Sequence, residues 1–343
     1  MRPPPPPPPR LLPTAVVGSY AVPEWLERLK TDYHQRRLSA ATLDAIHDVV
    51  IKAALKDQER AGLDVVTDGE LRRDNLVDHL LVRLPGVEID RRQKAYYYDY
   101  YDAVVRGPLP QAPLGLVAEF QFAQRLTDRL VKYCLPGPHT LVKRLRDEYY
   151  GDPRALGLAL ARVLNAELRA LVAAGAQLLQ IDEPYLSGYP EDVAWVVEVL
   201  NVLVAGVGAR VALHICYGNR YGKPQWEGSY RALFPALLRA EVDQLVLEFG
   251  RRGVGELGLW REYGVRWELG MGVVDVKDER VEGAEEVAER IWRGVEVVGA
   301  ERLWVNPDCG LRHVAPEVAY RKLEALVAGA ALVRRELTGR ADA

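Results

Sequence analysis

Cysteine is scarce in this sequence. The 343 residues include three cysteines, which is too few for a disulfide framework. No apolar run reaches the roughly 18 residues that a membrane-spanning helix needs, and the N-terminus lacks the apolar segment of a secretory signal. Neither sign of charge dominates, since the formal net charge is −3, so binding to nucleic acid or to a membrane surface is not expected. We expect a cytoplasmic protein whose thiols are free.

Proline is concentrated at the start of the chain, where Pro3 to Pro9 are consecutive. Such a run favours an extended polyproline II conformation outside any core. We therefore predict a disordered, proline-rich tail over residues 1–10 and one catalytic domain over residues 11–340. Apolar residues make up 49% of the chain, which is enough for a large core.

Short apolar runs alternate with longer segments of helical periodicity along this domain. Such alternation indicates βαβ units and a parallel sheet, and eight units indicate a single (β/α)8 barrel. The predicted strands are Ala15–Val17, Asp64–Thr67, Leu130–Cys134, Gln177–Ile181, Arg210–Ile215, Gln244–Leu247, Arg266–Gly270 and Arg302–Val305. The clearer helices are Ala40–Ala61, Pro153–Ala174, Glu191–Ala205, Tyr230–Ala240, Ala284–Val298 and Pro316–Arg335.

One segment between the second and third strands is irregular. Its sequence, "QKAYYYDYYDAVVRGPLP", is rich in tyrosine and alternates in polarity, which predicts a hairpin insert. The insert could simply pack against the barrel. It could also form a lid or a contact in a homo-oligomer, because exposed tyrosines suit an interface.

Polar residues close several of the predicted strands, and active sites of this fold lie at the carboxyl ends of the strands. His214 and Cys216 share one face of the fifth strand, Glu248 ends the sixth, and Cys309 follows the eighth. Histidine, cysteine and carboxylate together favour zinc. The alternative is that these four are ordinary core or ion-paired residues. We expect the third cysteine, Cys134, to be an ordinary core residue.

A zinc ion held by two thiolates and a glutamate carries surplus negative charge. It suits the binding of a third thiolate, so the chemistry indicated is alkyl transfer to sulfur. Acids at other strand ends could bind an amino-acid substrate. Glu70, Asp182 and Glu183 would hold its ammonium group, and Ser19 its carboxylate. Ion pairs with nearby arginines are the alternative for each acid.

Six motifs taken together resemble the catalytic barrel of cobalamin-independent methionine synthase. They are "VVGSY", "GLDVVTDGELRRDN", "QIDEP", "HICYGN", "LVLEF" and "ERLWVNPDCGL". The resemblance is to short, single-barrel members of a superfamily that includes uroporphyrinogen decarboxylase-like barrels. It implies Zn²⁺ as cofactor, homocysteine as methyl acceptor and methionine as product. Carried over by motif, the zinc ligands are His214, Cys216, Glu248 and Cys309, and the homocysteine-binding residues are Ser19, Glu70 and Asp182.

Two departures leave the methyl donor open between methyltetrahydrofolate and a methylcorrinoid. The stretch "CLPGPHTLVKRL" lacks the tryptophan that stacks on the folate in long members of the family. Lys277 stands where those members have a histidine that protonates the leaving group. We assign catalytic roles to Lys277, which would donate a proton if its pKa were lowered, and to Asp182.

Three other functions remain open at this point. An epoxyalkane:coenzyme M transferase-like enzyme would share the zinc and would use Arg251 and Arg252 to bind a sulfonate. A zinc-binding module without activity would have a closed metal site and no pocket. A decarboxylase of the same superfamily would need neither zinc nor Cys309.

Overall fold

The computed structural model describes residues 10–339, so residues 1–9 of the tail predicted over residues 1–10 lie outside the described part. Arg10, at the start of the described chain, forms an ion pair with the buried carboxylate of Asp64 at 2.7 Å. Arg334, from the last helix, bonds to the same carboxylate at 2.9 Å. The two ends of the described chain therefore meet at Asp64.

A parallel sheet curls around the core and carries the strands that were predicted. Seven strands pair in the order β1-β4-β6-β7-β8-β9-β10, and a smaller sheet has the order β2-β3-β5. The strands are β1 (Val65–Val66), β2 (Val87–Glu88), β3 (Val104–Val105), β4 (Leu130–Pro136), β5 (Arg146–Asp147), β6 (Leu178–Asp182), β7 (Arg210–Ile215), β8 (Gln244–Glu248), β9 (Glu268–Val274) and β10 (Leu303–Pro307).

The segment around Thr14 and Ala15 joins the two edges of the seven-stranded sheet. Thr14 forms a parallel bridge with Val305 in β10, and Ala15 forms one with Val65 in β1. The Ala15 amide donates to the Val305 carbonyl at 3.0 Å, and the Val65 amide donates to the Thr14 carbonyl at 3.0 Å. This segment is the first strand of the predicted barrel, reduced to two bridges, and it closes the ring.

Helices cover the outside of the sheet, as the alternating pattern predicts. The helices are α1 (Glu24–His34), α2 (Ala40–Ala61), α3 (Asp78–Leu81), α4 (Val117–Gln124), α5 (Pro138–Val142), α6 (Pro153–Ala173), α7 (Val193–Val204), α8 (Gly258–Glu262), α9 (Ala284–Val298) and α10 (Pro316–Thr338). Local capping fixes some of their ends: Asp152 accepts hydrogen bonds from two amides at the start of α6, which has proline in its first turn.

One predicted helix is wrong. The segment predicted as a helix over Tyr230–Ala240 forms two short 3-10 turns, Tyr230–Leu233 and Ala236–Arg239. Pro235 lies between them, and a proline inside a helix removes a backbone donor and clashes with the preceding turn. Among the described residues, no helix is both long enough and apolar enough to cross a bilayer.

The tyrosine-rich segment is not confirmed as a hairpin. The antiparallel pairing is limited to β2 and β3, and residues 96–101 between them form an irregular loop. Lys94 anchors this loop, because its buried ammonium pairs with Asp78 at 2.6 Å and lies 4.4 Å from the centre of the Tyr101 ring. Tyr97, Tyr98 and Tyr100 face the cavity described next.

Candidate active site

Three of the predicted metal ligands meet at the carboxyl end of the barrel. The Cys309 sulfur lies 3.5 Å from the Cys216 sulfur and 3.8 Å from Nε2 of His214. Nδ1 of His214 lies 3.0 Å from the Val246 carbonyl, so a proton on Nδ1 leaves Nε2 directed at the sulfurs. Ligand atoms of the three side chains all lie within 4.8 Å of one another, so they form a group that could hold a metal ion.

The spacing of these atoms fits a zinc ion. Tetrahedral zinc with Zn–S bonds of about 2.3 Å and Zn–N bonds of about 2.1 Å separates two sulfurs by about 3.8 Å and a sulfur from a nitrogen by about 3.6 Å. The hydrogen bond between the two cysteines lowers the pKa of Cys309 and raises that of Cys216. It therefore favours one thiolate, which is the form that binds a metal.

Glu248, the predicted fourth ligand, does not join this group among the described residues. Its Oε1 accepts the Tyr217 amide at 2.7 Å, and its Oε2 accepts the Lys277 ammonium at 2.8 Å. Burial by itself lowers the pKa of Lys277, but the charges of Cys309 and Glu248 outweigh this effect and raise it. This contact with Glu248 stabilises the ammonium form of Lys277, and its catalytic role stays a prediction.

Glu70, after β1, and Asp182, at the end of β6, face the same cavity from the two sides of β4. Their carboxylates and the Cys134 sulfur form a second cluster within 4.8 Å. Cys134 is buried, as expected for a core residue. Burial raises its pKa, and the sulfur lies 3.3 Å from the Val17 carbonyl as a donor. It is thus a neutral thiol, and the two acids supply the charge of this cluster.

Burial disfavours the charged forms of these two acids. Burial, with the Asp182 and Asp68 charges adding to it, raises the pKa of Glu70 to about 7 despite the guanidinium of Arg73, which lies at 3.2 Å. Burial likewise raises the pKa of Asp182, whose Oδ1 accepts a hydrogen bond from Gln180 at 2.7 Å. A cation that enters the cavity would lower the pKa of both carboxyl groups and stabilise their charged forms.

Glycines make room for the polar side chains of this region. A Cβ on Gly310 would lie 2.1 Å from Oγ of Ser19, and a Cβ on Gly18 would lie 2.6 Å from Oε1 of Glu70. The glycines of the "VVGSY" and "NPDCGL" motifs therefore let the backbone lie directly against the Glu70 and Ser19 side chains. Glu70 itself has a φ of 55°, an uncommon left-handed conformation that is often retained at functional sites.

Three of the predicted substrate residues do not line this cavity. Glu183 is buried and binds the start of α5, with Oε1 accepting the His139 amide at 2.9 Å and Oε2 the Thr140 amide at 2.8 Å. Arg251 pairs with Asp275 at 3.3 Å. Arg252 lies 3.7 Å from the centre of the Tyr217 ring. Both arginines line a separate, smaller cavity, and their role in substrate binding stays a prediction.

The main cavity has a volume of about 460 Å³ and extends from the metal group to the tyrosine loop. Apart from the tyrosine-rich segment, its outer wall was not predicted from the sequence. Residues of that wall include Tyr98, Tyr100, Arg144, Tyr185, Asn219, Arg220, Tyr221, Arg312 and His313. The alternating tyrosines over residues 96–101 were the sequence feature that indicated part of this wall. The segment "YGNRYG" after Cys216 has no pattern that predicts its position in the cavity.

Asp308 is a further residue that the sequence interpretation overlooked. Its carboxylate accepts the amides of Phe249, Gly250 and Arg251 at 3.0, 2.7 and 2.7 Å. These bonds hold the turn that follows Glu248 against the residue that precedes Cys309. Asp308 thereby fixes two strand ends of the site relative to each other. Its position inside "NPDC", next to a predicted ligand, was the signal for this role.

The whole described barrel corresponds to a known family. The sequence profile described as "Cobalamin-independent synthase, Catalytic domain" matches residues 12–332. The chain belongs to the cobalamin-independent methionine synthase family. The resemblance seen in the six motifs is confirmed, and it extends over nearly the entire chain.

Relatives within this family agree in length as well as in sequence. A methionine synthase from Saccharolobus islandicus is 40% identical over 331 residues, which cover 95% of this chain and 96% of the relative. One from Sulfurisphaera tokodaii is 35% identical, with coverage of 95% and 94%. The structure is also similar to that of a B12-independent methionine synthase from Shewanella in complex with selenomethionine, with a TM-score of 0.84, 30% identity and coverage of 96% and 100%.

Proposed function

We propose that this protein is a zinc-dependent methyltransferase that moves a methyl group to the sulfur of homocysteine and forms methionine. One observation carries the proposal: a group of soft metal ligands and a pair of buried carboxylates face the same cavity. The first suits a thiol, and the second suits an ammonium group. Homocysteine has both, separated by a short aliphatic chain.

His214, Cys216 and Cys309 would hold the zinc. A bound Zn²⁺ would lower the pKa of the substrate thiol and present its sulfur as a nucleophilic thiolate at neutral pH. The protein orients this group through the hydrogen bond between His214 and Val246. The three cysteines are free, which fits the reducing cytoplasm expected from the sequence.

Glu70 and Asp182 would bind the substrate ammonium, and Ser19 would bind its carboxylate. An ammonium that enters a buried site is costly unless it is paired. Burial raises the pKa of both acids, so an added cation would stabilise their charged forms. Asp182 pairs in register with His214 across β6 and β7, so the ammonium site adjoins the metal group. The Shewanella relative holds selenomethionine, the selenium analogue of the proposed product.

The outer part of the cavity would receive the methyl donor, because homocysteine is too small to fill the whole volume. Tyr98 and Tyr221 are 44% and 60% exposed there and offer ring faces for stacking. Arg144 lies over Tyr100 at 4.2 Å, and Arg312 donates to backbone carbonyls. These contacts leave the positive charge of both arginines available, which suits a donor with a flat ring and carboxylate groups, such as methyltetrahydrofolate. A methylcorrinoid is the alternative donor.

In the transfer, the new sulfur–carbon bond forms as the bond between the methyl group and the donor breaks, and the bonding pair leaves with the donor. The chain contributes orientation: the acids fix the amino-acid end of homocysteine, and the metal ligands fix its sulfur. Positioning of two reactants in this way removes much of the entropic barrier to their reaction.

The coenzyme M alternative fits the cavity less well. Arg251 and Arg252, which were expected to bind its sulfonate, line the other cavity. Glu70 and Asp182 adjoin the metal group and would repel an anion there. Coenzyme M also carries no ammonium to relieve them.

The test is a matrix of acceptors and donors with zinc-loaded protein. Homocysteine or coenzyme M would be combined with methyltetrahydrofolate, methylcobalamin or an epoxide, and the products measured by mass spectrometry. We expect methionine from homocysteine with one of the methyl donors. The Cys309→Ser variant should lose zinc and activity together. Preferential alkylation of coenzyme M would contradict the proposal.

A further inference from the structure

A buried lysine lies inside the barrel, below the two acids of the proposed ammonium site. Lys132 belongs to β4 and lies two residues before Cys134, so both side chains point to the same face of the strand. Cys134 is part of the cluster that contains Glu70 and Asp182. Lys132 therefore lies one layer further from the mouth of the barrel, and no step of the proposed methyl transfer involves it.

The Lys132 ammonium is connected to Asp182 through one amide. Nζ of Lys132 donates to Oε1 of Gln180 at 2.7 Å, and Nε2 of Gln180 donates to Oδ1 of Asp182 at 2.7 Å. Gln180 and Asp182 lie two residues apart in β6, so they share a face of that strand. All three side chains are buried, and the low dielectric of the interior strengthens both hydrogen bonds.

The charges at the two ends fix the direction of this amide. An amide has an acceptor at one end and donors at the other, an ammonium can only donate, and a carboxylate can only accept. With Lys132 on one side, Oε1 of Gln180 must face the lysine and Nε2 must face Asp182. Without the ammonium, the amide is free to reverse. Two oxygen atoms would then face each other, and Asp182 would lose the contact that holds it in place.

The positive charge of Lys132 has a second, opposing effect on the substrate. Burial lowers the pKa of Lys132, whereas the Asp182 and Glu70 charges favour its ammonium form. An ammonium near both acids weakens by itself their attraction for another cation. Glu70 already pairs with Arg73 at 3.2 Å. A benefit of Lys132 to substrate binding must therefore come from the orientation of Asp182, because the added charge works against it.

We propose that Lys132 is a positioning residue that acts through Gln180 and holds Asp182 as an oriented acceptor for the ammonium group of the substrate. This inference rests on the proposed function and deepens it at the amino-acid end of the substrate. Lys132 is not among the described residues that line the cavity. It would thus favour homocysteine over thiols without an amino group and would not touch either of them.

A comparison of two thiols tests this role. Zinc-loaded parent and Lys132→Met protein would be titrated calorimetrically with homocysteine and with γ-mercaptobutyrate, which is homocysteine without its amino group. We expect the variant to bind homocysteine about tenfold more weakly, the scale of one lost polar contact, and to bind γ-mercaptobutyrate within about twofold of the parent. A structural defect would weaken the binding of both thiols.

A double variant tests the path through the amide. If the lysine acts through Gln180, the second contact is of no further use once the first is lost. In the Lys132→Met background, Gln180→Met should therefore change homocysteine affinity by less than about twofold. This comparison leaves no unpaired ammonium in the core, so it does not depend on the folding of the Gln180→Met single variant. A further loss as large as that from Lys132→Met would show that the two residues act independently.

Lys322→Met is the matched control. It also removes a buried lysine, which pairs with Glu282 at 3.0 Å, and neither of these residues is among the described lining of the cavity. Its homocysteine affinity should equal that of the parent. Zinc content would be measured first and should be the same in all variants.

The outcomes separate this inference from the proposed function. If Lys132→Met weakens both thiols equally, the lysine is structural, and the inference fails while the proposed function stands. If the variant binds homocysteine as well as the parent does, or more tightly, Lys132 is only a counter-charge, and the inference fails as well. If the zinc-loaded parent does not bind homocysteine, the proposed function and this inference fail together.

Discussion

Replacement of Glu70 by glutamine should weaken homocysteine binding and stabilise the fold. In the folded protein the pKa of Glu70 is raised from 4.5 to about 7, chiefly by burial. This difference in pKa between the folded and unfolded states corresponds to about 3 kcal/mol in the free energy of unfolding, since one pKa unit equals about 1.4 kcal/mol. The folded protein holds a proton that the unfolded chain has released between pH 4.5 and 7, so stability falls as the pH rises through this window.

Glutamine removes that cost, because it carries no charge to desolvate. Part of the gain is offset by the lost attraction to Arg73, whose guanidinium lies 3.2 Å from Glu70. We therefore expect the free energy of unfolding at pH 8 to rise by about 1–2 kcal/mol, and the difference to vanish near pH 4, where the carboxyl group is protonated in both states.

Binding should change in the opposite direction. Loss of the charged hydrogen bond to the substrate ammonium should weaken homocysteine binding by about 1–3 kcal/mol. In the parent, affinity should also fall as the pH drops through 7, where Glu70 takes up a proton. This component of the pH dependence should be absent in Glu70→Gln.

Urea unfolding at pH 8 and pH 4, combined with calorimetric titration of homocysteine into zinc-loaded protein, measures both effects. Glu183→Gln is the matched control. Burial raises its pKa to about 7 as well, but its carboxylate binds α5 instead of lining the cavity, so homocysteine affinity should be unchanged. A Glu70→Gln variant that is less stable at pH 8 and binds homocysteine normally would refute this reasoning.

Three further changes test separate parts of the site. Cys216→Ser should release zinc while Cys134→Ser retains it, as measured by metal analysis; equal zinc contents would disprove the assignment of the metal group. Tyr98→Ala should raise the KM for the methyl donor at least fivefold without altering homocysteine affinity, and an unchanged donor KM would place the donor elsewhere. Gly310→Ala should weaken homocysteine binding, because the new Cβ would lie 2.1 Å from Oγ of Ser19 and displace it. We expect a loss of about tenfold, the usual size for one lost polar contact. Normal affinity would count against a contact between Ser19 and the substrate.

Much of the barrel could be predicted from the sequence, because buried parallel strands are apolar throughout and their helices are amphipathic. Arg210–Ile215 and Ala40–Ala61 have the predicted bounds. The strand predicted over Arg266–Gly270 is found at Glu268–Val274. The prediction stopped too early because a glycine in a strand pattern usually indicates its end. Gly270 instead allows close packing, as a Cβ there would lie 2.6 Å from Nδ2 of Asn306.

The site was predictable only where a residue lies within a strand or directly beside one. His214, Cys216, Cys309, Glu70 and Asp182 converge because the fold brings strand ends together. Residues after a strand end depend on the turn that follows, which periodicity does not describe.

Two contacts could not be predicted for this reason. The turn after Glu248 wraps around the Asp308 carboxylate, and this turn places Arg251 in the smaller cavity. The pairing of Lys277 with Glu248 depends on how the segment after β9 folds back. No spacing in the sequence indicates that contact.

The closure of the ring has a consequence for the order in which the protein is made. Thr14 and Ala15 hold the first and last strands together, and Ser19 follows four residues later. Their neighbour Asp64 is bound by Arg334 near the end of the chain. Synthesis proceeds from the N-terminus, so the segment that carries Ser19 is made first. Its contacts with β10 and the last helix can form only after those elements have been made. Ribosome-bound chains that stop before residue 303 would carry most of the barrel and lack a completed site.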